Sequence, residues 1–177
     1  MQTQAHPLEP FFQQAVRNNY EGKLGMYDPE LTNYIAHLLC EFTEADNLFK
    51  VRDETGHSIE ELRDMMQAAD PVFGSASSFD TERSVRKYVG DYALFVAGMY
   101  PETTDERPHG HSPSLGDLIQ AGKESYYIVS QFNLFEYQEE APLFTRLSES
   151  FERCVLGLTL VREELASTKL PVPQAEL

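Results

Sequence analysis

Apolar residues recur at alternating spacings of three and four through most of this chain, which is the period of one face of an α-helix. Leu31, Ile35, Leu38, Phe42, Ala45 and Phe49 share one such stripe. Ahead of them stand Asp28 as an N-cap, Pro29 as a first-turn proline and Glu30 near the positive helix end, so the pattern predicts a helix from Leu31 to Lys50. Ser58 and Glu61 form a capping-box pattern before Ile59, Leu62, Met66 and Ala69, a short helix stopped by Pro71. After a Ser- and Gly-rich connection, Val85, Val89, Tyr92, Val96 and Met99 repeat along a helix from Thr81 to Met99, closed by Pro101. Leu94 and Phe95 make its C-terminal half apolar on nearly every side, which predicts burial among neighbours.

The stretch PETTDERPHGHSP, Pro101 to Pro113, is loop chemistry. Ser114 and Asp117 then cap a helix to Phe132, in which Gly122 would let a neighbouring backbone come close. A turn at Gln138 to Ala141 precedes a last long helix, Pro142 to Ser167, carrying Phe144, Leu147, Phe151, Val155, Leu158, Val161 and Leu165; Pro171 and Pro173 end it, leaving a loose tail from about Leu170. Phe11, Phe12, Ala15 and Val16 predict a short first helix over Leu8 to Asn19, with Gly22 and Gly25 in the turn after it. No alternating strand pattern appears. The expectation is an all-α single domain over the whole chain, a bundle of five or six helices, four of them long and mainly antiparallel.

Composition adds what this chain avoids. Its 177 residues are enough for a core without staples, and 29 acidic against 14 basic residues give a formal charge of -15. Such a field repels phosphate backbones and anionic bilayers, so neither nucleic acid nor a membrane is expected as a partner. The run from Tyr92 to Met99 is far below the roughly 20 residues that span a bilayer. Cys40 and Cys154 each sit in an apolar helical pattern and read as reduced core residues. With no basic-then-apolar leader among the first residues, the expected compartment is the cytoplasm.

Few residues stand out as chemistry. A carboxylate-bridged metal bundle needs a Glu-x-x-His pair on each of two helices; the single such pair, Glu54 and His57, spans Gly56 outside a helix. His37 and Glu41, four apart with Glu44 one turn on, read as an intrahelical polar pair, and His109 and His111 lie in the acidic loop, so no metal site is assigned. Asp91 is more informative. Gly90-Asp91 falls where the pattern turns apolar, and a carboxylate there must be paired or protonated. Arg83, Arg86 and Lys87 are the candidate cations, with Arg86–Asp91 taken as a structural ion pair. Tyr34, Tyr88, Tyr92, Tyr126 and Tyr127 fall on or near helix stripes, and any hydroxyl that is buried needs a partner. There is no phosphate loop, nucleophile elbow or zinc spacing.

At GDYALFVAGMYPE, Gly90 to Glu102, together with YIAHLLCEF before it and the Tyr126-Tyr127 helix after it, the chain resembles a group of uncharacterised bacterial all-helical proteins over about Asn33 to Glu164. That resemblance implies a helical fold and transfers no activity or site residue.

Every strong pattern here explains packing and none explains a reaction. The leading expectation is therefore a non-catalytic helical protein that acts by binding a protein partner or itself as a homo-oligomer. Two alternatives stand beside it: a small-molecule or cofactor binder, even an enzyme, with a ligand pocket between helices at His37, Asp91 and Tyr92, and a carboxylate/histidine metal-binding bundle. The cofactor of the first is left open.

Overall fold

A computed structural model of the protein describes residues 6–43, 64–66, 78–104 and 114–168. Every regular element among them is helical, with no strand. The order is α1 (Glu9–Tyr20), α2 (Pro29–Phe42), α3 (Phe79–Met99), a 3-10 turn (Pro101–Thr104), α4 (Leu115–Ser130), a second 3-10 turn (Phe135–Tyr137), α5 (Ala141–Glu149) and α6 (Phe151–Ser167). Residues 64–66 are helical as well, and Met65 joins the core. No described helix is long and apolar enough to cross a membrane.

The starts of these helices follow from their capping residues. Leu31 N donates to Asp28 Oδ1 at 3.1 Å, and Pro29 occupies the first turn, where a missing N–H costs nothing. Ser78, slightly earlier than the expected opening at Asp80 or Thr81, accepts from Thr81 N at 3.2 Å. Ser114 and Asp117 form the full reciprocal box, at 3.1 and 3.0 Å. Asp28 has a second task. Its Oδ2 accepts from Arg146 Nε at 2.7 Å while Glu30 takes the other arm of the same guanidinium, so the N-terminus of α2 is tied to α5. The turn after α1 closes with Met26 N on Tyr20 O and needs a left-handed residue, which Gly25 supplies at φ 65°.

One expected helix is two. The run from Pro142 to Ser167 breaks at Ser150 (φ −103°, ψ 18°), giving α5 and α6. The stripe stays in phase because Leu147 and Phe151, four apart, span the break, which is why periodicity alone does not reveal it. The Phe151 ring lies over Gly122 of α4, where a Cβ would collide with it, so Gly122 admits a side chain and not the neighbouring backbone. Residues 44–50 of the second expected helix, most of the one over 59–69, the loop over 105–113 and the tail after Leu170 lie outside the described residues.

The core is continuous. α3 packs on α4 and α6, α4 on α5, and α1 on α2 and α6. Phe95 stacks on Phe42 at 4.9 Å, Tyr126 meets Phe144 and Phe151 at 5.6 and 5.8 Å, and Tyr34 meets Phe144 at 5.5 Å, so aromatic contacts knit α2, α3, α4, α5 and α6. As the apolar pattern predicts, α3 is buried without interruption from Tyr88 to Met99. Both cysteines are buried free thiols, their pKa values pushed up by burial to about 11 for Cys40 and about 12 for Cys154.

Candidate functional site

Asp91 leaves only 4% of its surface exposed in the middle of α3, and three helices supply its partners. Tyr34 of α2 and Tyr126 of α4 both donate their hydroxyls to Oδ1, at 2.5 and 2.7 Å. Lys87, one turn earlier on α3, donates Nζ to Oδ2 at 3.1 Å. The same ammonium lies 5.3 Å from the centre of the Tyr34 ring, a cation–π position. Gly90 makes room for this convergence, because a Cβ there would stand 2.5 Å from the Tyr126 ring.

The ion pair therefore uses Lys87 and not Arg86. Helical geometry gives the reason: four residues bring two side chains within about 40° of each other around the axis, whereas five put them about 140° apart. Arg86 Nε and Nη1 are buried with no hydrogen-bond partner among the described residues, and Arg83 turns to Glu140, 2.7 Å away.

Nor do the residues expected to line a pocket meet. His37 lies with Asn33 and Glu41 on the outward row of α2, its side chain 65% exposed and Nε2 3.5 Å from Glu41. Tyr92 is buried on the row of Tyr88, whose ring it stacks at 6.2 Å, about 100° around the axis from Asp91. Of His37, Asp91 and Tyr92, Asp91 alone belongs to the cluster. Among the described residues no three His, Cys, Asp or Glu side chains gather to hold a metal; Glu44, Glu54, His57, His109 and His111 lie outside them.

The electrostatics of the cluster make it a clasp. Burial raises the pKa of Tyr34 and Tyr126 well above the ordinary phenol value, and the Asp91 charge raises both further. For Lys87 burial works the other way, but the charge and hydrogen bond of Asp91 outweigh it and its pKa is raised. Near neutral pH the two phenols are thus neutral and Lys87 is an ammonium, and all three donate to the oxygens of Asp91. Sequence reading marks Asp91 as needing a partner and the tyrosines as needing acceptors. The missing link was Gly90, the small residue beside the acid that lets a ring approach.

At the other extreme, the connection between α4 and α5 turns apolar residues outward. Phe135 is 86% exposed and Leu134 67%, on a 3-10 turn in which Tyr137 N and Gln138 N donate to the carbonyls of Leu134 and Phe135. Phe135 takes φ 53°, the left-handed region that a bulky residue adopts at a cost of about 1 kcal/mol or more. The turn is fastened from below. Tyr137 donates to Asp80 Oδ1 at 2.9 Å, the Arg83 guanidinium lies 4.0 Å over the Tyr137 ring, and Arg83 Nη2 donates to Glu140. These bonds tie the turn to the first turn of α3, where Phe79 is itself 72% exposed. We call this feature the knuckle. No helical stripe announces it, because its exposed residues fall between two helices, and it precedes the turn expected at Gln138 to Ala141.

Compared with known proteins, the chain matches no family model, no curated protein and no solved structure.

Proposed function

We propose that the protein is a non-catalytic binding protein that engages a partner chain through the knuckle. The observation that carries this reading is Phe135: a large aromatic side chain almost fully in water, on a left-handed backbone, in a turn whose Tyr137 is held by a buried arginine. A soluble chain gains nothing from that combination in isolation, since a strained and exposed phenylalanine opposes both backbone preference and hydration. Aromatic anchors raised on a rigid base are what interfaces use for most of their binding energy. The charge of -15 supports the same direction, because it favours a protein partner over nucleic acid or an anionic bilayer. The clasp around Asp91 serves this role by holding α2, α3 and α4 together beneath the surface.

The test is photo-cross-linking inside the cells that make the protein, with a photoreactive phenylalanine at position 135 and, as control, at the exposed Leu156 of α6. A discrete adduct from position 135, absent from position 156 and lost with Leu134→Ser, is the expected result. No adduct, or the same adducts from both positions, would overturn the reading.

A further inference from the structure

The setting of the knuckle specifies what its partner looks like. From Glu124 to Thr145 the chain contains no lysine or arginine, while Glu136, Glu139 and Glu140 follow the exposed aromatic and Asp80 and Glu82 stand beside Phe79. Glu136, Glu139 and Glu140 are all exposed. Among the described residues, Arg83 at the base of the turn is buried under Tyr137 and already engaged by Glu140. The surface is thus a convex apolar tip inside an acidic collar.

A second copy of this chain is a poor occupant for two reasons. Its own collar would meet like charge, and each copy carries the same -15. The area is also small. Phe135 and Phe79 bury about 150–250 Å² each and Leu134 somewhat less, so together they offer roughly 400–700 Å², short of the about 800 Å² per side of a standard-size protein pair. The tip suits a compact, reversible contact.

We infer that the knuckle packs against an apolar face rimmed by lysine or arginine on another protein, with Leu134 and Phe135 as anchors and Glu136 and Glu139 pairing with the rim. This rests on the partner-binding role proposed above and adds the chemistry of the partner. Anchor and collar then divide the work. The apolar tip sets how long the complex lasts, and the collar sets how fast it forms and how steeply salt weakens it.

The probes are synthetic amphipathic helical peptides of three kinds, with a leucine face and a polar face of lysine, glutamate or glutamine. Their binding to the full chain is measured by fluorescence anisotropy at low and physiological salt. The lysine peptide is expected to bind about tenfold or more tightly than the other two. Phe135→Ser and Leu134→Ser should each weaken it about tenfold, while Leu156→Ser leaves it unchanged. The double variant Glu136→Lys, Glu139→Lys should shift the preference toward the glutamate peptide. Circular dichroism of each variant checks that it folds.

Each other outcome overturns the inference in a distinct way. Equal binding of all three peptides, lost in Phe135→Ser, would remove the basic rim and leave the partner-binding role standing. A lysine preference indifferent to Phe135 and Leu134 would mean attraction to net charge elsewhere on the chain. No peptide binding, or self-association of the wild-type chain that Phe135→Ser abolishes, would also discard it; the second result would make a further copy the occupant.

Discussion

Asp91 and Phe135 reverse the usual placement of charge and hydrocarbon: the carboxylate is buried at 4% exposure and the phenyl ring stands 86% in water. The two inversions are sustained differently. At Asp91 every contact is compensating, with two hydroxyls on one oxygen and an ammonium on the other, so the desolvation cost is met inside the fold. At Phe135 the fold holds the backbone and leaves the side chain without cover. Arg83, Asp80 and Glu140 fix the base of the knuckle, and nothing in those bonds satisfies the ring. One region spends its polar groups on stability, the other on presentation.

The largest effect should come from opening the clasp. Asp91→Ala leaves two buried hydroxyls without an acceptor and Lys87 without its counter-charge, and should cost about 3–5 kcal/mol in urea unfolding. Tyr126→Phe removes one of the two donors to Oδ1 and should cost about 1 kcal/mol. A loss below that for Asp91→Ala would mean the cluster is surface decoration, and the comparison would fail on its closed side.

The alkaline limb of stability follows from the same groups. The pKa values of Lys87, Tyr34 and Tyr126 are all raised in the folded state. A group whose folded value is raised contributes stability that is fully present below its unfolded value, about 10 for both residue types, and is lost as pH rises through the folded value. Urea midpoints should therefore fall from pH 9 to pH 11. The double variant Tyr34→Phe, Tyr126→Phe should fall less over the same range. Equal slopes for the two proteins would separate the clasp from the alkaline transition.

Substitutions at the knuckle should be smaller, and one has the opposite sign. Arg83→Met removes the grip on Tyr137 and Glu140 and should cost roughly 1–2 kcal/mol, with faster hydrogen exchange at Tyr137 and Gln138 as its local signature. Phe135→Gly relieves the left-handed backbone and should raise stability by up to about 1 kcal/mol while weakening any partner contact. A loss of stability in Phe135→Gly would show that the ring is packed and not presented. The smallest change is expected at the thiols. Cys40 and Cys154 should not react with a thiol reagent at pH 8 until the chain is unfolded, because burial keeps both protonated.

Much of this was legible in the chain, and the division is physical. Helix starts at Asp28 and Ser114, and the apolar run of α3, depend on residues within one or two turns of each other, so spacing alone locates them. The break at Ser150 was hidden because the stripe runs through it in phase. Asp91 announced a need for partners, but Tyr34 and Tyr126 stand 57 and 35 residues away, and only the packing of α2 and α4 against α3 brings them to one oxygen. Lys87 is within local reach of Asp91, and it pairs where Arg86 does not because angle around the axis decides an intrahelical pair. By itself, then, the sequence determined that the chain is helical, where most helices begin, which faces are apolar, and that a buried acid must be answered. Tertiary structure alone decided which hydroxyls answer it, that His37 turns to water, and that Phe135 is left uncovered, because burial is settled by what the rest of the chain brings to each residue.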